Sequence, residues 1–347
     1  MKAIDLRRNE IDNILSISND KSYLKKKEQE FELLSSQDFA TLSIKNRYHF
    51  LGCALNLLVS AFNQKDTEKE LKYFNSVITL YEEILKKLKH IESEYQLQLN
   101  LAVGECFYST QYYNQANNCY EYALNLIPPE NHENKLKCIL LLMKSSLKQG
   151  AYAQENEPAP DIAKTCYNYV IFYGNQAICL PRTKLTIECY YLIAQAYARL
   201  AYVENQTNQQ LEALKLLIKA GIYNLYGQKL AEGKQKKASP SSFKKQMDSI
   251  HLAVKEIWKI FVLNPEYQQN EVDEVLYDSK NQKLTVSAFK EILTHDNLND
   301  FLEKMVSSKP VSVHVKGGMF YKSFQVTQQN ETEKENQLVL TNHLSNI

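Results

Sequence analysis

Residues 96–130, QLQLNLAVGECFYSTQYYNQANNCYEYALNLIPPE, constrain the fold of this 347-residue chain more than any other stretch. Gly104 and Phe107 are three apart, on one face of a first helix, while Ala116, Tyr120 and Ala123 share one face of a second. The small residues let the two backbones approach closely, and the rings of Phe107 and Tyr120 fill the space beside them. Tyr112, Tyr113 and Asn114 supply the turn. Pro128 cannot continue a helix and ends the second one. A helical hairpin of this kind cannot bury its apolar face alone, so it needs neighbours of its own type.

The chain provides them. Over 44–88 a first helix carries Tyr48-x2-Leu51-Gly52-x2-Leu55 and a second Val77-x3-Tyr81-x2-Ile84, with Asn63, Gln64, Lys65 and Asp66 as the turn. An apolar helix over 134–149 contains CILLLM. A loop with two prolines follows over 150–160, and Asp161 is placed to cap the next helix, where Ala163-x3-Tyr167-x2-Val170 repeats the second-helix spacing. The pattern returns over 181–224 with Tyr190, Ile193, Ala194 and Tyr197, a turn over 204–210, and then Ala213, Leu217 and Ala220. Four hairpins in a row predict a stacked helical solenoid.

These spacings resemble the tetratricopeptide repeat, with its W-x2-L-G-x2-Y opening, its A-x3-F second helix and its closing Pro. The resemblance covers roughly residues 44–224 and departs from the family at Asn100, where Trp is usual, and Val103, where Leu is usual. It implies a right-handed solenoid with a concave groove lined by the first-helix faces opposite the packing aromatics. Carried onto this chain, those positions are Asn46, His49, Cys53 and Asn56, then Gln98, Leu101, Glu105 and Tyr108, then Glu188, Tyr191, Gln195 and Arg199. Amides and tyrosines suit capture of a peptide or helix from a protein partner. Repeats that clamp the C-terminal carboxylates of chaperones use Lys and Asn where this chain has His49, Cys53, Leu101 and Glu105, so that activity is not expected.

The expected fold class is therefore mainly α, a tetratricopeptide-like solenoid with a small C-terminal α+β appendage. Residues 1–43 are expected to cap the N-terminal end, with Leu24, Phe31, Leu33 and Leu34 buried and Lys25-Lys26-Lys27-Glu28 on a solvated face. The repeats occupy 44–227. A basic linker over 228–242 follows, in a stretch where Lys229, Lys234, Lys236, Lys237, Lys244 and Lys245 face only Glu232; it reads as solvated, or as a patch for acidic lipid over 229–245. Ser241 or Ser242 caps a helix over 243–265 that contains the only tryptophan, Trp258. The appendage, over 266–326, has a hairpin joining Val275-Leu276-Tyr277 to Leu284-Thr285-Val286. Helices over 288–293 and 298–306 come next, then a second hairpin that turns at Gly317-Gly318. An acidic polar tail fills 327–347.

The formal net charge of +1 gives no global field to recruit nucleic acid. Seven cysteines, none in a C-x-x-C pair or a Cys/His cluster of zinc spacing, suggest a reducing cytosol. Neither an apolar leader nor a span of membrane length is present, so a soluble, cytoplasmic protein is expected, with no metal and no cofactor. Motifs of the H-E-x-x-H, G-x-S-x-G, P-loop and Rossmann types are missing. Gly317-Gly318 is not followed by a helix, and the stretch from Asp278 to Asn281 lacks the carboxylates of a calcium loop. A binding protein rather than an enzyme is the expectation. The alternative is an enzyme with its site in 266–324, for which His295, Asp296 and His314 are the residues to test.

In the last residues, Glu331, Glu333 and Glu335 precede Leu344 and Ile347. This resembles the C-terminal export signal of effectors that intracellular bacteria inject through the Dot/Icm type IV secretion system, and the Lys-, Asn- and Gln-rich composition is similar to that class. The resemblance implies a host cytoplasm as destination and a host protein or another effector as partner. An ordinary acidic tail is the other interpretation.

Overall fold

The computed structural model describes residues 18, 20–88, 93–156, 159–234, 241–263, 275–279, 282–294 and 297–307. Among them are twelve α-helices and one two-stranded sheet. Helices α1 (Lys21–Ser35), α2 (Ile44–Gln64), α3 (Thr67–Leu88), α4 (Ser93–Ser109), α5 (Tyr113–Leu126) and α6 (His132–Glu155) come first. They are followed by α7 (Pro160–Ile178), α8 (Lys184–Gln206), α9 (Gln210–Lys234) and α10 (Ser241–Leu263). The chain then forms β1 (Val275–Ser279), β2 (Gln282–Thr285), α11 (Val286–Thr294) and α12 (Leu298–Ser307). Nearly every helix from α1 to α10 packs on the next, and α2 also meets α4, α6 meets α8 and α8 meets α10. Packing dominated by first and second neighbours is the pattern of a helical-repeat solenoid. Among the described residues no helix is long and apolar enough to cross a membrane.

The turns are tighter than the sequence suggests. Asn63 and Gln64 stay in α2, which is ended by Lys65 in the left-handed region, φ 58°, with Asp66 Oδ1 accepting the Lys69 N–H at 3.1 Å. Likewise Gln111 at φ 64° turns the chain so early that Tyr113 and Asn114 already belong to α5, and Asn208 at φ 61° confines the α8–α9 break to 207–209. Thr183 begins α8 with a capping box closed by Thr186.

The largest correction concerns the expected loop over 150–160. Helix α6 runs through it to Glu155, and α7 starts at Pro160, which occupies the first turn where its missing N–H costs nothing; Asp161 sits in that turn and does not cap it. The reason lies in packing. A Cβ on Gly150 would meet Tyr167 Cε1 at 2.7 Å, Tyr167 Cδ1 at 3.0 Å and Cys166 Cβ at 3.1 Å. At Gly104 the same three distances recur, to Tyr120 Cε1, Tyr120 Cδ1 and Cys119 Cβ. Hairpins α4–α5 and α6–α7 are thus one unit used twice, and Gly150 sets the register of the second. Asn100, the departure from the repeat pattern, is buried; it accepts from the Tyr81 hydroxyl and donates to the Gln96 carbonyl at 2.6 Å.

Two clusters of buried residues make the core, and they meet in α6. Cys138 and Leu142 belong to the cluster that begins at Phe31, whereas Leu136, Ile139, Leu140 and Met143 belong to the one that ends at Val306. Helix α6 is buried on two faces, as its apolar run requires. Across it, the Tyr173 hydroxyl of α7 donates to Glu121 Oε1 of α5 at 3.2 Å. Burial raises the Glu121 carboxyl above its ordinary value, and the bond from Tyr173 pulls it back only in part. The folded state therefore holds the Glu121 proton more tightly than the unfolded chain does, so the charge costs stability at neutral pH and the cost vanishes below the unfolded pKa. Glu121→Gln keeps an acceptor for Tyr173, and its melting midpoint at pH 7 is expected to rise by up to a few degrees above wild type, with no difference once both side chains are neutral in acid. A lower midpoint at pH 7 would contradict this.

At the N-terminal end Phe31 and Leu34 are buried, but Leu24 is half-buried and Leu33 is 64% exposed. Lys27, expected on a solvated face, is only 7% exposed. Helix α9 continues through Lys234, into the stretch read as a linker. In the appendage, β1 and β2 pair antiparallel, with Tyr277 opposite Leu284 and an irregularity between Val275 and Tyr277. Strand β1 lies on α9 and α11 lies on β2. Phe289 is fully buried and meets Trp258 edge-on at 5.3 Å, and a Cβ on Gly221 of α9 would meet Leu302 of α12 at 2.8 Å. The hairpin expected at Gly317-Gly318, the tail, and Lys236 and Lys237 lie outside the described residues.

Candidate functional site

Helix α8 presents Tyr191, Gln195 and Arg199 at i, i+4 and i+8, one stripe along one face. That stripe forms a wall of a cleft of about 820 Å³, within the range of roughly 300–1,000 Å³ common for ligand sites. The end of α6 contributes Gln154 and Glu155, and the opposite wall is α10. Ile250, Ala253 and Ile257 of α10 give that wall an apolar surface, while Lys245 and Ser249 bring polar groups. The Tyr191 ring stands edge-on to Phe243 at 5.4 Å, and its carbonyl accepts from Gln246 Nε2 at 3.3 Å, so α10 fixes the position of this tyrosine. Gln154 is oriented by the Tyr167 hydroxyl at 2.8 Å.

The polar groups of the cleft are unevenly satisfied. Arg199 Nη1 lies 3.4 Å from Glu155 Oε1, an exposed ion pair of small net worth that a ligand can break. Gln246 Oε1 is buried with no hydrogen-bond partner among the described residues. Such a buried, unpaired acceptor carries a desolvation cost in the wall of the cleft. Tyr202, also lining the cleft, is 54% exposed and offers a ring to stack upon. Apolar wall, tyrosine rings and a guanidinium together suit the mixed surface of a peptide or helix.

The other residues named from the sequence lie elsewhere. Glu188 is tied to Lys144 of α6 at 2.7 Å. Gln98 donates to Glu94 at 3.1 Å within α4, Glu105 is exposed, Leu101 is partly buried against the core, and Tyr108 packs edge-on to Tyr113 at 5.8 Å. Asn46 is exposed in the first turn of α2, where its N–H bonds Ser43 Oγ at 3.2 Å. Its helix-mates are covered, because α1 packs over this face to bury Phe31 and Leu34. Asn56 is fully buried, accepting from the Ser18 N–H and donating to the Gly52 carbonyl, both at 2.8 Å, so it lines no groove. Cys53 is fully buried too, and burial pushes its thiol up to about 12. His49 is half-buried and bonds Glu30 Oε2 at 3.1 Å.

Sequence reasoning missed Gln246 and Ser249, because α10 reads there only as an end cap, and missed Gln154 and Glu155 because they fall in the expected loop; Lys245 was named only as part of the basic run. Of the basic run, Lys244 and Lys245 are exposed on α10 and Lys229 is half-buried on α9. His295, Asp296 and His314 lie outside the described residues. No family model, no curated protein and no solved structure matches this chain.

Proposed function

We propose that this chain is a non-enzymatic binding protein of tetratricopeptide-like type, which captures a segment of a partner protein in the cleft between α8 and α10 and thereby modulates that partner. The observation that carries the reading is that Tyr191, Gln195 and Arg199, three of the positions that the tetratricopeptide resemblance assigns to a groove, line one cleft with an apolar wall. Interface energy concentrates in aromatic and arginine side chains, and Tyr191 and Arg199 are the anchors of this surface. The resemblance of the tail to a type IV export signal extends the proposal: the partner is a host protein or another bacterial effector.

The test is capture from host and bacterial lysates by the wild-type chain and by Tyr191→Ala/Arg199→Ala. A stoichiometric partner bound by wild type should bind the double variant at least about tenfold more weakly, at unchanged helicity. A partner held equally by both would sink the reading. Export is tested separately, by fusing a translocation reporter to the chain with and without residues 327–347.

A further inference from the structure

Helices α1 and α2 bring together three side chains that no single stretch of sequence reveals. His49 and Cys53 stand at i and i+4 on the face of α2 that meets α1, and Glu30 of α1 reaches across to both. Glu30 Oε2 is 3.1 Å from His49 Nε2 and 3.7 Å from Cys53 Sγ, and the three ligand atoms all lie within 4.8 Å of one another. A tetrahedral zinc ion with ordinary bond lengths sets its nitrogen and oxygen ligands about 3.3 Å apart, and its sulfur and oxygen ligands about 3.5 Å apart. The two distances to Glu30 match two edges of that tetrahedron, and the His49–Cys53 edge, within 4.8 Å, closes to it with a small side-chain adjustment.

A second observation concerns charge. The Lys27 ammonium sits 3.1 Å from the same Glu30 oxygen, although its side chain is only 9% exposed. A buried cation at this point shows that the pocket favours positive charge there. The Tyr23 ring lies 5.2 Å from the Lys27 nitrogen and gives the ammonium a second resting place.

We propose that Glu30, His49 and Cys53 form a binding site for a zinc-like divalent ion, in which the ion takes the place of the Lys27 ammonium and staples α1 to α2. One sulfur, one imidazole and one carboxylate suit zinc or cobalt and do not suit calcium or magnesium, which prefer oxygen. Glu30 and His49 are partly exposed, so water can reach the fourth position, as in sites with three protein ligands. Binding converts the Cys53 thiol to thiolate and releases its proton to solvent. Because Cys53 itself is fully buried, the site is read as a binding site and not as a nucleophile. It does not depend on the cleft function.

Cobalt(II) titration of the full chain tests this, on a Cys179→Ser background that removes the exposed thiol. One equivalent should produce a thiolate-to-cobalt charge-transfer band, which zinc displaces. The band should be lost in Cys53→Ser. It should be lost equally in His49→Gln, a change at a half-buried position that leaves the core intact. Lys27→Met should bind cobalt roughly tenfold more tightly, because the competing charge is gone. A band that survives either ligand substitution, no band at one equivalent in folded protein, or no tightening in Lys27→Met would overturn the proposal.

Discussion

Gly150→Ala is expected to destabilise the protein by about 1–3 kcal/mol, even though alanine is the better helix former by about 1 kcal/mol. The added methyl would stand 2.7 Å from the edge of the Tyr167 ring and 3.1 Å from Cys166 Cβ, well inside van der Waals contact. Tyr167 is fully buried, with its hydroxyl bonded to Gln154, so the ring has no free space to swing into. Gly104→Ala should cost a similar amount, because Tyr120 and Cys119 stand at the same distances. Urea unfolding of the two variants measures both costs. Combined with Tyr167→Leu, Gly150→Ala should cost clearly less than the sum of the two single changes, since the shortened side chain leaves room for the methyl. A neutral or stabilising Gly150→Ala would mean that the close approach of α6 and α7 is not as described.

Phe289→Ala should cost about 3–5 kcal/mol and free the appendage from α10. Phe289 is fully buried and meets Trp258 edge-on. Little else from α11 is buried so deeply, so removal of this ring leaves a cavity that a nine-residue helix cannot close. Trp258 is the only tryptophan and reports the change directly. Its emission should shift to the red as water reaches the indole, while far-UV helicity stays close to wild type because α1–α9 are untouched. An unshifted emission would show that Phe289 does not hold the appendage in place.

The hairpins were legible in the sequence because their signal is local. A small residue, an aromatic three positions on, and an alanine-aromatic-alanine face each lie within a few turns of one helix. The misread places are those where a distant contact decides. Gly150, followed by two prolines, obeys every rule for a loop, and only the Tyr167 ring explains why it is helical. The breaks at Lys65, Gln111 and Asn208 take left-handed residues without glycine, so the sequence gives little sign of how short they are. In the cleft, the stripe of Tyr191, Gln195 and Arg199 follows from helical spacing, whereas the α10 wall depends on a contact between helices far apart in the chain. The resemblance to the repeat family also placed Asn56 on the groove; it failed there because the chain leading into α1, at Ser18, bonds to it and Asn56 is fully buried. Two of the three members of the Glu30 cluster, His49 and Cys53, stand one turn apart on α2, a spacing not singled out from the sequence, and the third side chain comes from another helix.

Helix α6 has a bearing on how this chain can be divided. Cys138 and Leu142 complete one core while Ile139 and Met143 complete the other, so the same helix closes both. A cut before α6 exposes the first core and a cut after it exposes the second. Neither half is a separable module, and a fragment meant to fold alone must carry α6 with an apolar face exposed on one side. Two overlapping fragments that both contain α6 would compete for the same partner surfaces, so coexpression of the halves is expected to give misassembled pairs as well as the native arrangement.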